Sequence, residues 1–500
     1  MILDYIYGAA RSNPTKPALI HNDVVISYAA FARTIDGFRK FFEQKNLSAN
    51  TVAVVLVDHL ADAWCTDLAL RALGLTTIQL HSLAQVRGLG INNISCVVTT
   101  AREQLTHRLV GNPLPGASII VVSRQDLAVA ESAGLPLEPK GNHPPGGHIL
   151  YTSGTTGAPK KLFWDGELED LRCSARAAFY NYNNFSVVHV LDYELPTGIG
   201  WKDPLSVWRA GGGVVIDQRA ERYERFFRNH VNRTIITTGA FRKLVEANQP
   251  NLAAPIRFDF QVGGGALGAD LASRALAKFG SNVSLELTYS ATEMITPALI
   301  SRIGTPDDAL WLCPGADRTI QIVDESGHEC SFDQEGDLRI LTTELDLRCY
   351  LEDVDGTSKT FRDEFFYPGD RAVRRADGRI RILGRIADIL NILGEKFAVG
   401  PFEQRIQQLL NVGEVCVFSG LNAAGQDELV IAIKSDREPA REKLDSVRRE
   451  FRNFTVRCEL QNFDKVRFTV LTEFPRTNAG TDKVHRAELR KIVFGDSGNS

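Results

Sequence analysis

The chain has 500 residues, of which 44% are hydrophobic and 24% are charged, and its formal net charge at pH 7 is −4. The composition is that of a globular protein, and the length predicts two or more domains. The negative net charge argues against nucleic acid or an anionic membrane as the main partner. No apolar run reaches the roughly 18 residues of a membrane helix, and the first residues lack the basic flank of a signal peptide. We therefore expect a cytoplasmic protein that has no membrane span.

The eight cysteines are scattered along the chain, and none of them forms a Cys-x-x-Cys pair. This spacing indicates neither a structural zinc site nor a disulfide framework. We therefore expect buried free thiols. The ten histidines form no recognisable Ser-His-Asp or metal-ligand motif, so we expect structural or surface roles for them.

Strand-like and helix-like segments alternate over most of the chain. Short apolar runs indicate buried strands, and the segments after them carry apolar residues at helical spacing. This alternation predicts an α/β fold of parallel sheets covered by helices. Ligands of such folds bind at the carboxyl ends of the strands. The predicted strands are 51–57, 76–80, 148–151, 234–238 and 257–262, and the predicted helices are 61–72, 240–248 and 269–279.

A second, smaller domain is predicted after Gly384. Two strands, a charged helix and a further strand form an α+β unit there, and the unit is large enough for its own core. We therefore expect a large N-terminal domain over residues 1–384 and a small C-terminal domain over residues 385–500. The predicted elements of the small domain are Val415–Phe418, Glu428–Ile433, Arg441–Phe451 and Val466–Leu471.

The run Tyr-Thr-Ser-Gly-Thr-Thr-Gly-Ala-Pro-Lys-Lys at 151–161 predicts a phosphate-binding loop. Its glycines allow the backbone to approach a ligand closely, and successive N–H groups can form a concavity for an anion. The hydroxyls add donors, and the lysines add positive charge. The common nucleoside-triphosphate loop is excluded, because it needs Gly-x-x-x-x-Gly-Lys-Ser/Thr. The predicted binding residues are Thr152, Ser153, Gly154, Thr155, Thr156, Gly157 and Lys160.

The same run resembles, almost letter for letter, the phosphate loop of the adenylate-forming superfamily. This family comprises acyl-CoA synthetases, nonribosomal-peptide adenylation domains and beetle luciferases. Five further segments resemble its motifs in the family's order. The first, Gly263-Gly264-Gly265, takes the place of the Gly-Gly-Ala segment beside the adenine and the acyl group. Close backbone approach at a strand end explains such glycines, and a purely structural turn is the alternative.

The second segment, Tyr289-Ser-Ala-Thr292-Glu293, resembles the family's Tyr-Gly-x-Thr-Glu. The resemblance implies that Tyr289 stacks on the adenine, that Thr292 contacts the α-phosphate and that Glu293 binds Mg²⁺. One glutamate is enough, because Mg²⁺ prefers carboxylate oxygen together with waters and phosphates.

The next two segments imply ribose contacts and a hinge. The run that ends at Asp370 resembles the family's Thr-Gly-Asp segment, in which the aspartate accepts both ribose hydroxyls. A carboxylate suits this role because it has two oxygens and only accepts. The run that begins at Gly384 resembles the hinge segment, in which Arg385 contacts ribose and Lys396 contacts the nucleotide site. A small, mobile C-terminal domain would rotate about residues 385–388.

The last segment, Pro475–Arg486, resembles the family's C-terminal Pro-x-Thr-x-x-Gly-Lys-Val-x-Arg. A lysine there neutralises the charge that develops when a carboxylate joins the α-phosphate. Lys483 is the candidate, because Lys-Val-His-Arg keeps the downstream pattern, although Asp482 stands where glycine is usual. Lys396 is the alternative.

The resemblance implies a Mg²⁺- and ATP-dependent ligase that converts a carboxylic acid to an acyl-adenylate, with release of pyrophosphate. The acyl group then passes to a pantetheine thiol: CoA is expected, and the phosphopantetheine of a separate carrier protein is the alternative. The expected substrate is a small or aromatic organic acid, and an amino acid is the alternative. Ser290, Pro368, Ala387 and Asp482 depart from the family pattern, so a nucleotide-binding homologue without catalysis is a third interpretation.

Overall fold

The fold is seen in a computed structural model of the chain. Helices and strands alternate over most of its length, which confirms the predicted α/β class. The structure describes residues 2–100, 116–122, 144–152, 160–190, 195, 197–216, 229–247, 257–265, 267–280, 282–386, 389–392, 395–421, 427–457, 466–476 and 484–494.

The described elements follow one another as expected for a sheet protein with helical connections. The helices are α1 (Ile2–Ser12), α2 (Tyr28–Glu43), α3 (Leu60–Ala72), α4 (Leu83–Leu89), α5 (Glu169–Tyr180), α6 (Gly198–Arg209), α7 (Thr238–Glu246), α8 (Ala269–Phe279), α9 (Val354–Thr360), α10 (Gly400–Leu410), α11 (Arg441–Arg457) and α12 (Arg486–Phe494), with a short 3₁₀ helix at Pro306–Ala309.

The strands include every strand that the sequence predicted, with small differences at the ends. They are β1 (Pro17–His21), β2 (Val24–Ser27), β3 (Val52–Leu56), β4 (Thr76–Gln79), β5 (Ile94–Thr100), β6 (Ser118–Val122), β7 (His148–Tyr151), β8 (Lys161–Trp164), β9 (Val187–Val190), β10 (Gly213–Ile216), β11 (Arg233–Thr237), β12 (Phe258–Gly263), β13 (Val283–Tyr289), β14 (Leu299–Arg302), β15 (Cys313–Pro314), β16 (Ile320–Val323), β17 (Glu335–Leu341), β18 (Phe361–Arg362), β19 (Phe365–Phe366), β20 (Asp370–Arg374), β21 (Ile380–Arg385), β22 (Ile389–Ile392), β23 (Glu395–Ala398), β24 (Glu414–Leu421), β25 (Asp427–Lys434) and β26 (Val466–Leu471).

By their internal contacts the residues divide into two compact units. The first unit consists of Met1–Ala309 and Thr342–Phe361, and the second consists of Leu310–Leu341 and Arg362–Ser500. The predicted division into domains of residues 1–384 and 385–500, with a hinge at 385–388, stays a prediction.

The first unit contains two sheets. In one, the strands follow the order β14-β13-β12-β11-β9-β10-β1-β2, and in the other the order is β6-β5-β3-β4-β7-β8. The inner pairs are parallel, whereas β2, β8 and β14 are antiparallel to their neighbours. Parallel neighbours need crossover connections, which the helices supply. The carboxyl ends of β12 and β13 therefore meet at one edge of the first sheet.

The two sheets of the first unit meet through their helices. On α3, which connects strands of one sheet, Trp64 stacks at 5.1 Å on Trp201 and lies 4.9 Å from Trp208 on α6, which connects strands of the other sheet. All three rings are at most 1% exposed. The hydroxyl of Thr197 accepts from Gly200 N at 3.0 Å and starts α6. Large buried aromatic surfaces dominate core energetics, so this cluster holds α6 against α3.

The second unit contains an antiparallel sheet and a mixed sheet. In the antiparallel sheet, β17 pairs with β16, β19 and β20, and β20 pairs with β21. In the mixed sheet, β25 is antiparallel to β24 and parallel to β26. Residues from α10 and α11, among them Phe402 and Val447, cover one face of the mixed sheet, and Leu489 of α12 covers the other.

Seven of the eight cysteines belong to the described residues, and all seven are free thiols. The prediction of burial is wrong for Cys313, in the two-residue strand β15, and for Cys349, in an irregular segment, because both are exposed; Cys330 is partly exposed. Among the helices that the structure describes, none combines the length and the apolar character that crossing a membrane requires.

Candidate functional site

The predicted phosphate loop lies between two paired strands. β7 and β8 are antiparallel, with Tyr151 opposite Lys161. Thr152 N donates to Lys160 O at 2.9 Å and extends the pairing by one residue. The residues between them are outside the described part of the chain, so the predicted roles of Ser153, Gly154, Thr155, Thr156 and Gly157 stay predictions.

The two lysines after the loop have different surroundings. Lys161 is 8% exposed, and its Nζ lies 2.6 Å from Glu352 Oε2. The ammonium of Lys160 lies 4.4 Å from the centre of the Tyr350 ring and 3.3 Å from Thr360 Oγ1. In the part of the chain that the structure describes, no carboxylate lies within ion-pair distance of Lys160. Its positive charge is therefore available to an anion at the loop.

Glu293 lies in a turn just beyond the carboxyl end of β13. Its side chain is 7% exposed, and the Tyr350 hydroxyl donates to Oε1 at 2.7 Å. Leu347 N donates to the Glu293 carbonyl at 2.7 Å. No residue of the described ranges donates a hydrogen bond to Oε2. The turn thus holds a largely buried carboxylate that has one oxygen engaged and one available.

This carboxylate suits the predicted metal. Mg²⁺ is typically held by one or two carboxylates together with waters and substrate phosphates, not by an all-protein cage. Among the described residues there is no group of three His, Cys, Asp or Glu side chains that could hold a metal ion. Glu293 can therefore supply one oxygen ligand from the protein. The phosphates of the nucleotide and water molecules would supply the other ligands.

Three glycines at the end of β12 lie beside this turn. Val262 is opposite Leu287 on β13, so Gly263 and Tyr289 share one edge of the sheet. A Cβ on Gly263 would lie 3.1 Å from Thr288 Oγ1, and Gly264 has a φ of 78°. A side chain at Gly263 or Gly264 would therefore meet a crowded neighbour or a strained backbone.

The segment is completed by Gly265, whose carbonyl accepts from Thr238 Oγ1 at 3.0 Å. The structure thus brings the Gly263–Gly265 run, Tyr289, Thr292 and Glu293 to one edge of the sheet. Their individual contacts to a nucleotide stay predictions.

Asp370 and Arg385 are partners in the second unit. They lie opposite each other on β20 and β21, and Arg385 Nε is 3.1 Å from Asp370 Oδ1. Arg385 Nη1 also donates to the Pro368 carbonyl at 2.5 Å. The Asp370 side chain is only 6% exposed. The two predicted ribose ligands are therefore adjacent, and the arginine orients the carboxylate.

Of the two candidate lysines, the structure describes only the backbone of Lys396. Lys483 lies outside the described residues, as do Ala387 and Asp388 of the predicted hinge. The backbone of Lys396 lies on β23, opposite Asn391, and its side chain is outside the described part.

The two ends of the segment 477–483 are nevertheless anchored in the second unit. Arg476 Nη1 lies 2.8 Å from Glu414 Oε1, at the start of β24. Arg486 makes a bidentate pair with Glu403 of α10, at 2.8 and 2.7 Å. Bidentate arginine–carboxylate pairs fix geometry as well as charge, so both flanks of the lysine segment are held to the same core.

Sequence reasoning missed the segment Thr342–Phe361, which belongs to the first unit. Tyr350 of this segment contacts both Lys160 and Glu293. Asp346 accepts from Ile295 N at 2.8 Å and so holds the turn that follows Glu293. These residues match no motif, and they act through tertiary contacts that no local pattern reveals.

Comparisons with known proteins identify relatives of the chain. Bacitracin synthase 1 of Bacillus licheniformis is 25% identical over 68% of the chain and 7% of its own length. The mitochondrial acyl-coenzyme A synthetase ACSM5 of Mus musculus is 26% identical over 69% of the chain and 61% of its own length. The matches thus span less than two thirds of either relative.

Among solved structures, the anthranilate CoA ligase AuaEII, determined in complex with anthranoyl-AMP, has the same fold. The TM-score is 0.79 at 17% identity, and the match covers 98% of this chain and 96% of that one. The family model of the AMP-binding enzymes matches residues 7–345, which is more than half of the chain. Together with the motifs gathered at the sheet edge, this match shows that the chain belongs to the AMP-binding enzyme family.

Proposed function

We propose that the protein is a ligase that uses ATP to activate a carboxylic acid as an acyl-adenylate. The observation that carries this proposal is the turn Thr292–Glu293 at the carboxyl edge of the sheet. There a buried carboxylate keeps one oxygen available, and Tyr350 contacts both this carboxylate and Lys160, which has no carboxylate partner among the described residues. This pair of charges suits a magnesium–polyphosphate ligand, because Mg²⁺ binds carboxylate and phosphate oxygens and a lysine offsets phosphate charge.

In the proposed first step, a carboxylate oxygen attacks the α-phosphorus of ATP. A new carbon–oxygen–phosphorus linkage forms, and the bond to the bridging oxygen breaks to release pyrophosphate. The protein positions the groups in line and offsets negative charge. Lys160 and residues 152–157 hold the β- and γ-phosphates, Thr292 contacts the α-phosphate and Lys483 lies between the two anions. When bound at Glu293, Mg²⁺ neutralises phosphate charge.

The family motifs also assign contacts to the nucleoside. Tyr289 and Gly263–Gly265 receive the adenine, while Asp370 and Arg385 receive the ribose. Lys396 is the second candidate for the charge-neutralising lysine. These assignments rest on the family motifs and on the positions of the described residues among them.

In the proposed second step, a pantetheine thiolate attacks the acyl carbon, so that a thioester forms and AMP leaves. We propose CoA as the acceptor, after rotation of residues 385–500 about a hinge at 385–388. A carrier-protein phosphopantetheine is the alternative, because the relatives include both an acyl-CoA synthetase and a peptide synthase. A small or aromatic acid without an amine is the proposed substrate.

Acid-dependent exchange of labelled pyrophosphate into ATP tests the first step. The panel should contain anthranilate, other aromatic acids, short aliphatic acids and amino acids. We expect exchange with at least one organic acid and dependence on Mg²⁺. Binding of ATP without exchange for any acid would instead support a homologue that has lost catalysis.

The acceptor is tested with the acid that gives exchange. Thioester formation with free CoA should exceed that with a phosphopantetheinylated carrier protein. The reverse order would assign the protein to the carrier-loading class.

A further inference from the structure

Lys202 lies in the first turns of α6 and is 2% exposed. Its Nζ donates to the Thr292 carbonyl at 2.7 Å and to the Met294 carbonyl at 2.6 Å. These carbonyls stand on either side of Glu293. One buried side chain therefore spans the residue that carries the candidate metal-binding carboxylate.

The surroundings of Lys202 make this contact specific. Asp203, the next residue, accepts two bonds from Arg176, at 2.9 and 2.7 Å, and one from the Tyr182 hydroxyl at 2.9 Å. Among the described residues, no carboxylate lies within ion-pair distance of Lys202 Nζ. Its hydrogen bonds thus go to the backbone of the turn.

An amine in this position is costly, because burial penalises the charged form. Burial, followed by the charge of Arg176, lowers the pKa of Lys202 to about 7. A neutral amine still has two N–H donors, which equals the number of carbonyls that it contacts. The two hydrogen bonds therefore do not depend on the protonation state.

Other buried groups hold the same turn from its far end. Arg176 Nη1 donates to the Ile295 carbonyl at 2.5 Å. Gly198, at the start of α6, lies so close to the turn that a Cβ there would be 3.2 Å from Thr292 Cα. The helix and the turn therefore form one packed element, and Lys202 is its central polar contact.

We propose that Lys202 is a positioning residue for nucleotide and Mg²⁺ binding, which holds the backbone of Thr292, Glu293 and Met294 so that the Thr292 hydroxyl and the Glu293 carboxylate stay directed to the ligand. This proposal rests on the proposed function, because it assigns Thr292 and Glu293 to the phosphate and the metal. Lys202 itself touches neither.

The test compares Lys202→Met with the matched control Lys278→Met. Lys278 also donates to backbone carbonyls, at 2.7 Å to Val245 and 2.5 Å to Ala247, but these belong to the end of α7. Both variants remove a lysine that caps carbonyls, and both should lower the melting temperature. Only Lys202→Met should change the Mg²⁺ dependence of ATP binding.

ATP binding is measured by calorimetry at increasing Mg²⁺ concentrations, without any acid. We expect Lys202→Met to raise the half-saturating Mg²⁺ concentration by roughly tenfold, in keeping with the loss of two hydrogen bonds. Lys278→Met should match the wild type. If Lys202→Met does not fold, Lys202→Gln, which is one atom shorter and cannot reach both carbonyls, takes its place with the same expectation.

The outcomes separate the two proposals. A folded Lys202→Met or Lys202→Gln protein with wild-type Mg²⁺ dependence would overturn the role of Lys202. An equal shift in Lys278→Met would reduce that role to general stability and would also overturn it. A wild-type protein that binds no ATP in the presence of Mg²⁺ would instead contradict the proposed function itself.

Discussion

Tyr350 contacts two residues that are far apart in the chain, Lys160 and Glu293. Its ring faces the ammonium, and its hydroxyl donates to the carboxylate. A cation over an aromatic face contributes about 0.5–1 kcal/mol at exposed sites and more when desolvated. The residue therefore couples the loop lysine and the candidate metal ligand through one rigid side chain.

The Tyr350→Phe variant separates the two contacts, because it keeps the ring and removes the donor to Glu293 Oε1. We expect unfolding to require about 1 kcal/mol less free energy. The Mg²⁺ concentration for half-maximal exchange should rise several-fold, because the carboxylate loses its orientation. The measurements are urea unfolding and Mg²⁺ titration of pyrophosphate exchange.

Tyr28→Phe is the control for this variant. The Tyr28 hydroxyl is buried and donates to the Gly212 carbonyl at 2.6 Å, outside the residues assigned to the site. It should lose comparable stability at an unchanged Mg²⁺ requirement. A wild-type Mg²⁺ requirement in Tyr350→Phe would show that the hydroxyl does not orient the metal ligand.

Lys202 also predicts a pH dependence of stability. The pKa of its amine falls from 10.5 to about 7 on folding, because burial and Arg176 outweigh the attraction of Glu293, Asp346 and Asp203. Between these two pH values the unfolded chain binds more protons, so the free energy of unfolding rises with pH. The loss of stability that comes from burying this amine is complete below pH 7, and it disappears as the pH approaches 10.5.

This pH effect is measured as the difference between the wild type and Lys202→Met in urea unfolding without nucleotide. From pH 7.5 to 9.5 the difference should change in favour of the wild type by about 1 kcal/mol per pH unit. A difference that stays constant over this range would mean that the amine keeps its usual pKa in the folded protein.

At the scale of elements, the sequence predicted the strands and helices that carry the motifs. β7, β12 and β13 end where the phosphate loop, the glycine run and Tyr289 begin. Such elements are predictable because their apolar runs are local. The contributions of Lys202 and Tyr350 were not predictable, because each contacts residues at least 57 positions away in sequence. No short pattern records such a contact.

The lysine segment between Arg476 and Arg486 yields a prediction at the same scale. Lys483→Ala should slow pyrophosphate exchange by about a hundredfold or more, the usual effect of removing a group that stabilises transition-state charge. Thioester formation from presynthesised acyl-adenylate should be nearly unchanged. Lys396→Ala is measured beside it to decide between the two lysines. Slow exchange in Lys396→Ala with nearly normal exchange in Lys483→Ala would assign the role to Lys396.

At the scale of the whole molecule, the chain forms two units, and the second takes up residues 310–341 as well as the C-terminal part. The residues that the family motifs assign belong to both units. Asp370 and Arg385 belong to the second unit, whereas Glu293 and Lys160 belong to the first. The hinge at 385–388 is proposed because the run that begins at Gly384 resembles the family's hinge segment, and conformational steps set the rate of many enzymes with mobile domains.

Ala387→Pro tests this hinge, because proline restricts φ and the conformation of the preceding residue. If the domain rotates about residues 385–388, the variant should form the acyl-adenylate at a nearly normal rate and transfer it to CoA at least tenfold more slowly. Each half-reaction is measured separately by rapid quench. Equal slowing of both half-reactions would place the pivot elsewhere.

The central claim is that a substrate carboxylate attacks the α-phosphorus of ATP. An accepted acid labelled with ¹⁸O in both carboxylate oxygens tests it when the acid is converted to its CoA thioester and the phosphate products are analysed by mass spectrometry. Attack on the α-phosphorus predicts one ¹⁸O atom in each AMP released and none in pyrophosphate. Label in inorganic phosphate, with ADP as the nucleotide product, would mean attack on the γ-phosphorus and would contradict the account.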